Sequence, residues 1–278
     1  ACRRASSMCC PAPAPQPAQA ARAGAASSAF NPDISVILQG AFNRRDGGER
    51  HISGFFEAGE HAHSERGFTL DHSEVVMSAN IDPYFKGYLN LAVADEELEV
   101  EEAWFQTLNV GRGLTLKVGR FLSGIGYQNE HHPHAWDFAD NSLMYSVLFG
   151  EHLIQDGLQL KWLAPTPLFL EFGAEAARGQ FFPGSDAGGD KNGAGAWAAF
   201  AHVGGDVGAS NSWRAGLSYL RSRPKEREAH VDDINELEAQ TLFSGTSKAW
   251  IADFVWKWAP DGNARARNFT FQAEYFRR

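Results

Sequence analysis

The sequence predicts an all-β fold, an up-and-down antiparallel transmembrane β-barrel that is incomplete, with about eleven strands present. Three observations carry that reading. From Asn31 onward the apolar residues recur with a period close to two, the mark of strands with two unlike faces. Short, turn-rich connections alternate with connections that are mostly longer and polar. Aromatic residues gather toward the ends of the apolar faces, as Tyr219, Trp250, Trp258 and Tyr275 do.

The strands are expected near 34–43, 67–80, 84–94, 97–108, 113–122, 157–163, 168–177, 194–204, 212–222, 247–258 and 265–277. In 84–94, Phe85, Gly87, Leu89, Leu91 and Val93 oppose Tyr84, Lys86, Tyr88 and Asn90. In 113–122 the apolar face is Leu114, Leu116 and Val118, and in 157–163 it is Leu158, Leu160 and Trp162. In 168–177, Leu168, Leu170, Phe172, Ala174 and Ala176 stand against Glu171, Gly173 and Glu175. In 247–258, Trp250, Ala252, Phe254, Trp256 and Trp258 stand against Asp253 and Lys257. The last strand sets Phe269, Phe271, Ala273 and Tyr275 against Thr270, Gln272 and Glu274. A helix would scatter these residues around its circumference, whereas a strand collects them on one side.

Tight turns are expected at Ile81, Asn109, Ala164, Gly204 and Ala259. The other rim carries 44–67, the short 95–97, 122–156, 178–193 and 222–246. Outer-membrane barrels combine short periplasmic turns with long outer loops, and strands of ~9–11 residues cross a bilayer when tilted. An odd strand count, and a chain that ends on "EYFRR" as a strand ends, lead to the expectation that further strands follow in the parent protein. A soluble β-sandwich that serves as a secreted binding module is the competing fold. It requires the apolar faces to be covered by a second sheet.

Residues 1–30 are low-complexity Ala/Pro/Ser sequence that builds no core and read as a leader or linker remnant; 31–278 form the barrel domain, truncated at its carboxyl end. Cys2, Cys9 and Cys10 all lie in that opening stretch, so the barrel domain has no disulfide or thiolate metal site. A lipid anchor on Cys9 is disfavoured by "SSMC", which lacks small residues before the cysteine. The 278-residue chain has a formal charge of -9 and no basic stripe, which excludes nucleic acid as a partner. The expected partners are outer-membrane lipid and small polar solutes or ions, with assembly into a homotrimer left open.

The runs "LEVEEAWFQTL", "GLTLKVGRFLSGIGYQNEHHPHAWDFAD" and "DGLQLKWLAPTPLFLEFGAEAARG" resemble porin-like outer-membrane proteins of Gram-negative bacteria. These are relatives of the phosphate-selective porins, many of them labelled TonB-dependent or zinc-regulated receptors. The shared features are Glu102–Ala103–Trp104, the Gly119–Phe121 strand end, the Gly126–Asn129 turn and the His-rich loop ending in "DFAD". The likeness covers about Asn31 to Gly179, and the remainder by strand rhythm. It implies an outer-membrane location and transport. No plug precedes the barrel in this sequence, which argues against a TonB-dependent transporter, and the inward residues are mixed in sign, which argues against phosphate selectivity.

Alternation assigns Lys86, Tyr88, Asn90, Glu102, Gln106, Lys117, Gln159, Lys161, Glu171, Glu175, Arg214, Asp253, Lys257, Gln272 and Glu274 to the lumen, where opposed charges would order polar solutes. The expected function is a passive channel. The alternative is a receptor that captures zinc through His61, His63, His131, His132, His134 and Asp137 in His-rich extracellular loops. Eight of the ten histidines lie in or beside the 44–67 and 122–156 loops, yet neither cluster has a fixed metal-site spacing, and water or carboxylate partners are the simpler role. No nucleophile elbow, phosphate loop or GxGxxG stands in a strand-to-helix setting, so no catalytic residue or organic cofactor is assigned.

Overall fold

The structure, a computed structural model, describes residues 32–44, 66–70, 72–94, 97–108, 110–180, 182–183, 192–232 and 238–278, apart from the side chains of 94, 97 and 228–241. Along the chain run β1 (Asp33–Ile37), β2 (Gly40–Asn43), β3 (Gly67–Leu70), β4 (Ser73–Asn80), β5 (Phe85–Ala94), β6 (Glu97–Thr107) and β7 (Leu114–Leu122). Then follow α1 (Leu143–Phe149), β8 (Ile154–Leu163), β9 (Phe169–Ala177), β10 (Ala196–Val207), β11 (Asn211–Ser222), β12 (Arg227–Asp232), β13 (Glu238–Phe243), β14 (Ser247–Trp258) and β15 (Phe269–Arg277).

Eleven of the strands form one antiparallel sheet in chain order, β1-β4-β5-β6-β7-β8-β9-β10-β11-β14-β15. This is the expected up-and-down fold, and its eleven strands coincide with the eleven read from alternation. The remaining strands form two hairpins, β2–β3 and β12–β13, that elaborate two of the long connections. The expected strands 34–43 and 67–80 are each broken in two. Their outer halves pair with each other instead of continuing the sheet. At the break the Gln39 N–H donates to Ser73 Oγ at 3.0 Å, and that hydroxyl donates to Gln39 O at 3.2 Å, so a side chain replaces the ladder.

The two faces differ as the sequence pattern demands. On β14, residues alternate between buried and exposed from Ser247 to Trp256. The outward row includes Leu158, Leu160, Trp162, Phe172, Leu217, Trp250, Phe254 and Phe271, each exposed although apolar. No second sheet covers them among the described residues, which removes the sandwich reading. The inward face is not wholly wet, however. Ala198, Phe200, Leu220, Ala249 and Ile251 form an inner apolar patch that packs against the β7–β8 connection.

Gly119 shows how tightly the wall is built. Its φ is +130°, and a Cβ there would lie 2.2 Å from Ala103 O. The β6–β7 pairing extends only from Ala103↔Arg120 to Gln106↔Lys117, so it has little reserve. Gly119→Ala is expected to destabilise the barrel by of order 1–3 kcal/mol, measured as a lower urea midpoint of the detergent-folded protein.

Candidate functional site: the inner loop and its histidine–carboxylate cluster

The connection from β7 to β8 starts in a stretch with no hydrogen-bonded ladder, where Gly126 adopts φ +65°. A Cβ at Gly126 would lie 2.5 Å from Tyr145 Oη and 2.8 Å from Glu274 Oε2, so only glycine lets the chain pass. Asn129, fully buried, closes the base of the loop. Its amide donates to Ser123 O at 2.7 Å and its Oδ1 accepts from the Leu153 N–H at 2.7 Å. Pro133 then holds His132 extended, at φ -65° and ψ 157°, before a short 3-10 turn. Helix α1 places Tyr145, Leu148 and Phe149 on one side at helical spacing, against Ile125, Phe182 and the inner apolar patch.

The loop turns inward and does not lie on the rim as the sequence suggested. Between Ser123 and His134 it touches β4, β6, β8, β9, β11 and β15, which is geometrically feasible only if the sheet curls around it. On β9, Glu175 accepts from Ser123 Oγ at 2.6 Å and from the Gly124 N–H at 2.8 Å. On β15, Glu274 accepts from the Tyr127 N–H at 3.1 Å, the Gln128 N–H at 2.7 Å and Tyr145 Oη at 2.7 Å. Ser218 on β11 accepts from the Gly126 N–H at 3.1 Å, and Lys161 on β8 donates to Glu130 at 2.6 Å. Arg214 donates to Gly126 O at 3.2 Å and, like Lys257, stands over the Tyr127 ring.

The tip of the loop meets a second kind of surface. Glu74 on β4 and Glu101 and Glu102 on β6 are all buried on the inner face. His132 is wedged between the last two, Nδ1 3.1 Å from Glu101 Oε2 and Nε2 3.1 Å from Glu102 Oε1. Both ring nitrogens face carboxylate oxygens, so both carry protons and the ring is an imidazolium. Burial by itself would lower its pKa, but the Glu101 and Glu102 carboxylates outweigh it and hold the group at about 10. His134 Nδ1 lies 2.6 Å from Glu74 Oε1. His72, just before β4, places Nε2 3.0 Å from Glu101 Oε1 and 3.8 Å from Glu74 Oε1. There too burial lowers the pKa, and the hydrogen bond to Glu101 turns the balance upward.

His152, at the end of the loop, is different. Its ring lies 5.3 Å from that of Trp136 and 6.5 Å from that of His132, and neither of its nitrogens bonds a side chain among the described residues. Burial drives its pKa down to about 4, so it is neutral. A cavity of about 800 Å³ separates the loop, at Trp136, Asp137, Asn141 and Tyr145, from Thr270 and Gln272 on β15.

The residues assigned to the lumen by alternation all face inward. Asn90, Glu102, Gln159, Glu175 and Asp253 are buried there; Lys86, Tyr88, Gln106, Lys117, Lys161, Glu171, Arg214, Gln272 and Glu274 are partly exposed, and Lys257 is exposed. The metal candidates scatter. His132 and His134 reach the carboxylate cluster, but His131 packs at a tilt against Tyr127 with Nδ1 2.8 Å from Tyr127 O. Asp137 is exposed at the cavity mouth, and His61 and His63 lie outside the described residues. Alternation missed Glu101 because the β5–β6 register shifts between Asn90 and Leu91, and that bulge points both Glu101 and Glu102 inward. The adjacent carboxylates in "VEE" were the available signal.

No family model matches the chain. An uncharacterized protein of Aquifex aeolicus (strain VF5) is 35% identical over 270 residues, covering 90% of this chain and 56% of that protein. The chain thus spans about half the length of this relative. Among solved structures, the loop L8 deletion mutant of OmpT, an outer membrane protein of Vibrio cholerae, superposes with a TM-score of 0.48 at 10% identity, over 88% of this chain and 68% of that one. The high-pH structure of Pseudomonas putida OprB superposes with a TM-score of 0.46 at 13% identity, over 87% and 66%.

Two predictions follow from this geometry. Glu175→Ala orphans Ser123 Oγ and the Gly124 N–H, and is expected to cost of order 3 kcal/mol and to open the loop to protease; Glu175→Gln, whose amide oxygen still accepts, is expected to cost less. Because the folded pKa of His152 is depressed, its contribution is present above its unfolded value of 6.5 and is lost as pH falls toward 4. Between pH 7 and 4.5 the wild type is expected to lose about 2 kcal/mol more than His152→Gln, measured by paired urea titrations.

Proposed function

We propose that this protein is an outer-membrane channel for passive diffusion of small polar solutes or ions, its bore narrowed by the inner loop. The observation that carries the reading is the opposition of the two faces: apolar and aromatic toward the outside, polar and loop-filled within. Trp213, Trp256 and Phe271 are register neighbours on adjacent strands near the short-turn rim. Tyr219 and Trp250 pair near the other rim, their rings 4.6 Å apart. Trp256 and Trp250 are six residues apart on β14, about 20 Å at the ~3.3 Å rise of a strand. That separation suits the two aromatic girdles of a barrel whose apolar band is ~25 Å tall. Beyond the upper row the outer face turns polar, with Arg120 paired to Asp156 at 2.7 Å.

Inside, Lys161, Arg214 and Lys257 stand among Glu130, Glu171, Asp253 and Glu274. His202 lies 3.2 Å from Glu171 and Lys161 3.9 Å from it. A mixed-sign lining supports passage of polar solutes with weak charge preference, and does not suit a dedicated anion path.

Planar-bilayer recording of the full-length protein is the test. Stepwise conductance is expected, larger and noisier in Glu175→Ala, where the loop loses its β9 anchor. Lys257→Glu, which reverses the exposed inner cation, is expected to shift the reversal potential toward cation selectivity in a salt gradient. Folded protein that never conducts would overturn the proposal.

A further inference from the structure

We infer that His72, Glu74 and Glu101 form a binding site for a divalent transition-metal ion on the inner wall, next to the tip of the loop. Their donor atoms, one from each side chain, all lie within 4.8 Å of one another. The carboxylates are already divided in their duties. Asn90 Nδ2 donates to Glu74 Oε2 at 2.8 Å and to Glu101 Oε2 at 3.0 Å. Each residue thereby turns its Oε1 toward His72 Nε2, at 3.8 Å and 3.0 Å. Donors bound at ~2.0–2.2 Å in a tetrahedral shell are about 3.4 Å apart, so these separations bracket what such an ion needs.

The outer shell is in place as well. His132 Nδ1 holds Glu101 Oε2 at 3.1 Å, and Asn90 holds both carboxylates. His134, 2.6 Å from Glu74 Oε1, braces that carboxylate from the loop. An imidazole with two carboxylates selects borderline ions such as zinc, cobalt or manganese, whereas calcium and magnesium favour oxygen ligands alone.

Two further observations suit a cation at this place. Among the described residues, the ion pairs of Glu74 and Glu101 are all with imidazoles, none with lysine or arginine, although Glu74 is 1% and Glu101 3% exposed. Asn90 is 0% exposed, its amide nitrogen sits on both carboxylates, and its Oδ1 has no partner. That oxygen is an unpaired buried acceptor beside the same two carboxylates. A bound ion would tie β4 to β6 beside the loop residues His132 and His134. The site stands whether or not the barrel conducts, since its ligands are fixed by the wall.

The test is equilibrium dialysis of the full-length, detergent-folded protein, stripped with a chelator and exposed to micromolar ZnCl₂, with CoCl₂ absorption as a second probe. One equivalent of zinc is expected, together with the intense visible band of a low-coordinate cobalt ion. His72→Ala and Glu101→Gln are each expected to weaken binding by more than about 100-fold, and Asn90→Ala, which loosens the outer shell, by about 10–100-fold. His131→Ala, whose ring bonds Tyr127, is expected to leave affinity unchanged. Heat-modifiable gel migration establishes that each variant is folded. Should His72→Ala not fold, zinc protection of His72 against carbethoxylation in the wild type replaces it. Absence of retained zinc, or retention that survives both ligand substitutions, would overturn the site.

Discussion

A loop that enters the interior of a barrel must find partners for its backbone N–H groups where water is scarce. That constraint organises this molecule. Glu175 and Glu274, on strands at different positions around the sheet, each accept from the start of the loop, and Ser218 accepts between them. A carboxylate is suited to this work because one side chain accepts several donors, and each charge-assisted bond is roughly twice as strong as a neutral one. Without these acceptors, the Gly124–Gln128 backbone would be driven back to solvent and the interior would stay open.

The inner face therefore serves two purposes that lie side by side. Toward β10, β11 and β14 it is apolar, and Phe200, Leu220 and Ile251 receive Ile125 and the buried side of α1. Glycines make room there: Phe200 lies where Cβ atoms of both Gly124 and Gly173 would fall. Toward β4 and β6 the face is acidic, and it receives imidazoles. The apolar patch positions the helix and the carboxylates position the tip. Together they explain how a connection of about thirty residues keeps one conformation without a sheet ladder of its own.

Most of the wall was legible from the sequence, because a face that meets an apolar environment must be apolar at every second residue, and that requirement is local. All eleven sheet strands, and the alternation of rims, came from it. The break at Gln39–Ser73 was not legible, since it depends on one serine hydroxyl capturing one backbone group 34 residues away. Helix α1 was missed because a single helical turn's worth of apolar residues, Tyr145, Leu148 and Phe149, is too short to register as a period. The loop's position inside the barrel was illegible for a similar reason. It rests on pairs such as Tyr127 with Glu274, 147 residues apart, which no periodicity encodes. Of the cluster, His132 and His134 were found by composition. His72, Glu74 and Glu101 were hidden by the bulge and by the distance in sequence between β4 and β6.

The loop's two ends are secured by different chemistry. At its base the cations are Lys161 on Glu130 and Arg214 on Gly126 O. At its tip, among the described residues, the carboxylates meet imidazoles and share them with Asn90 and His72. An imidazole's hold depends on its proton, and a carboxylate's hold on an imidazole depends on whether another cation competes for the same oxygens. The base is thus held by lysine and arginine, the tip by imidazoles, and α1 and the apolar patch share neither set of contacts. The imidazole contacts of the loop are then confined to His132 and His134, a few residues beyond the closed base at Asn129 and ahead of α1.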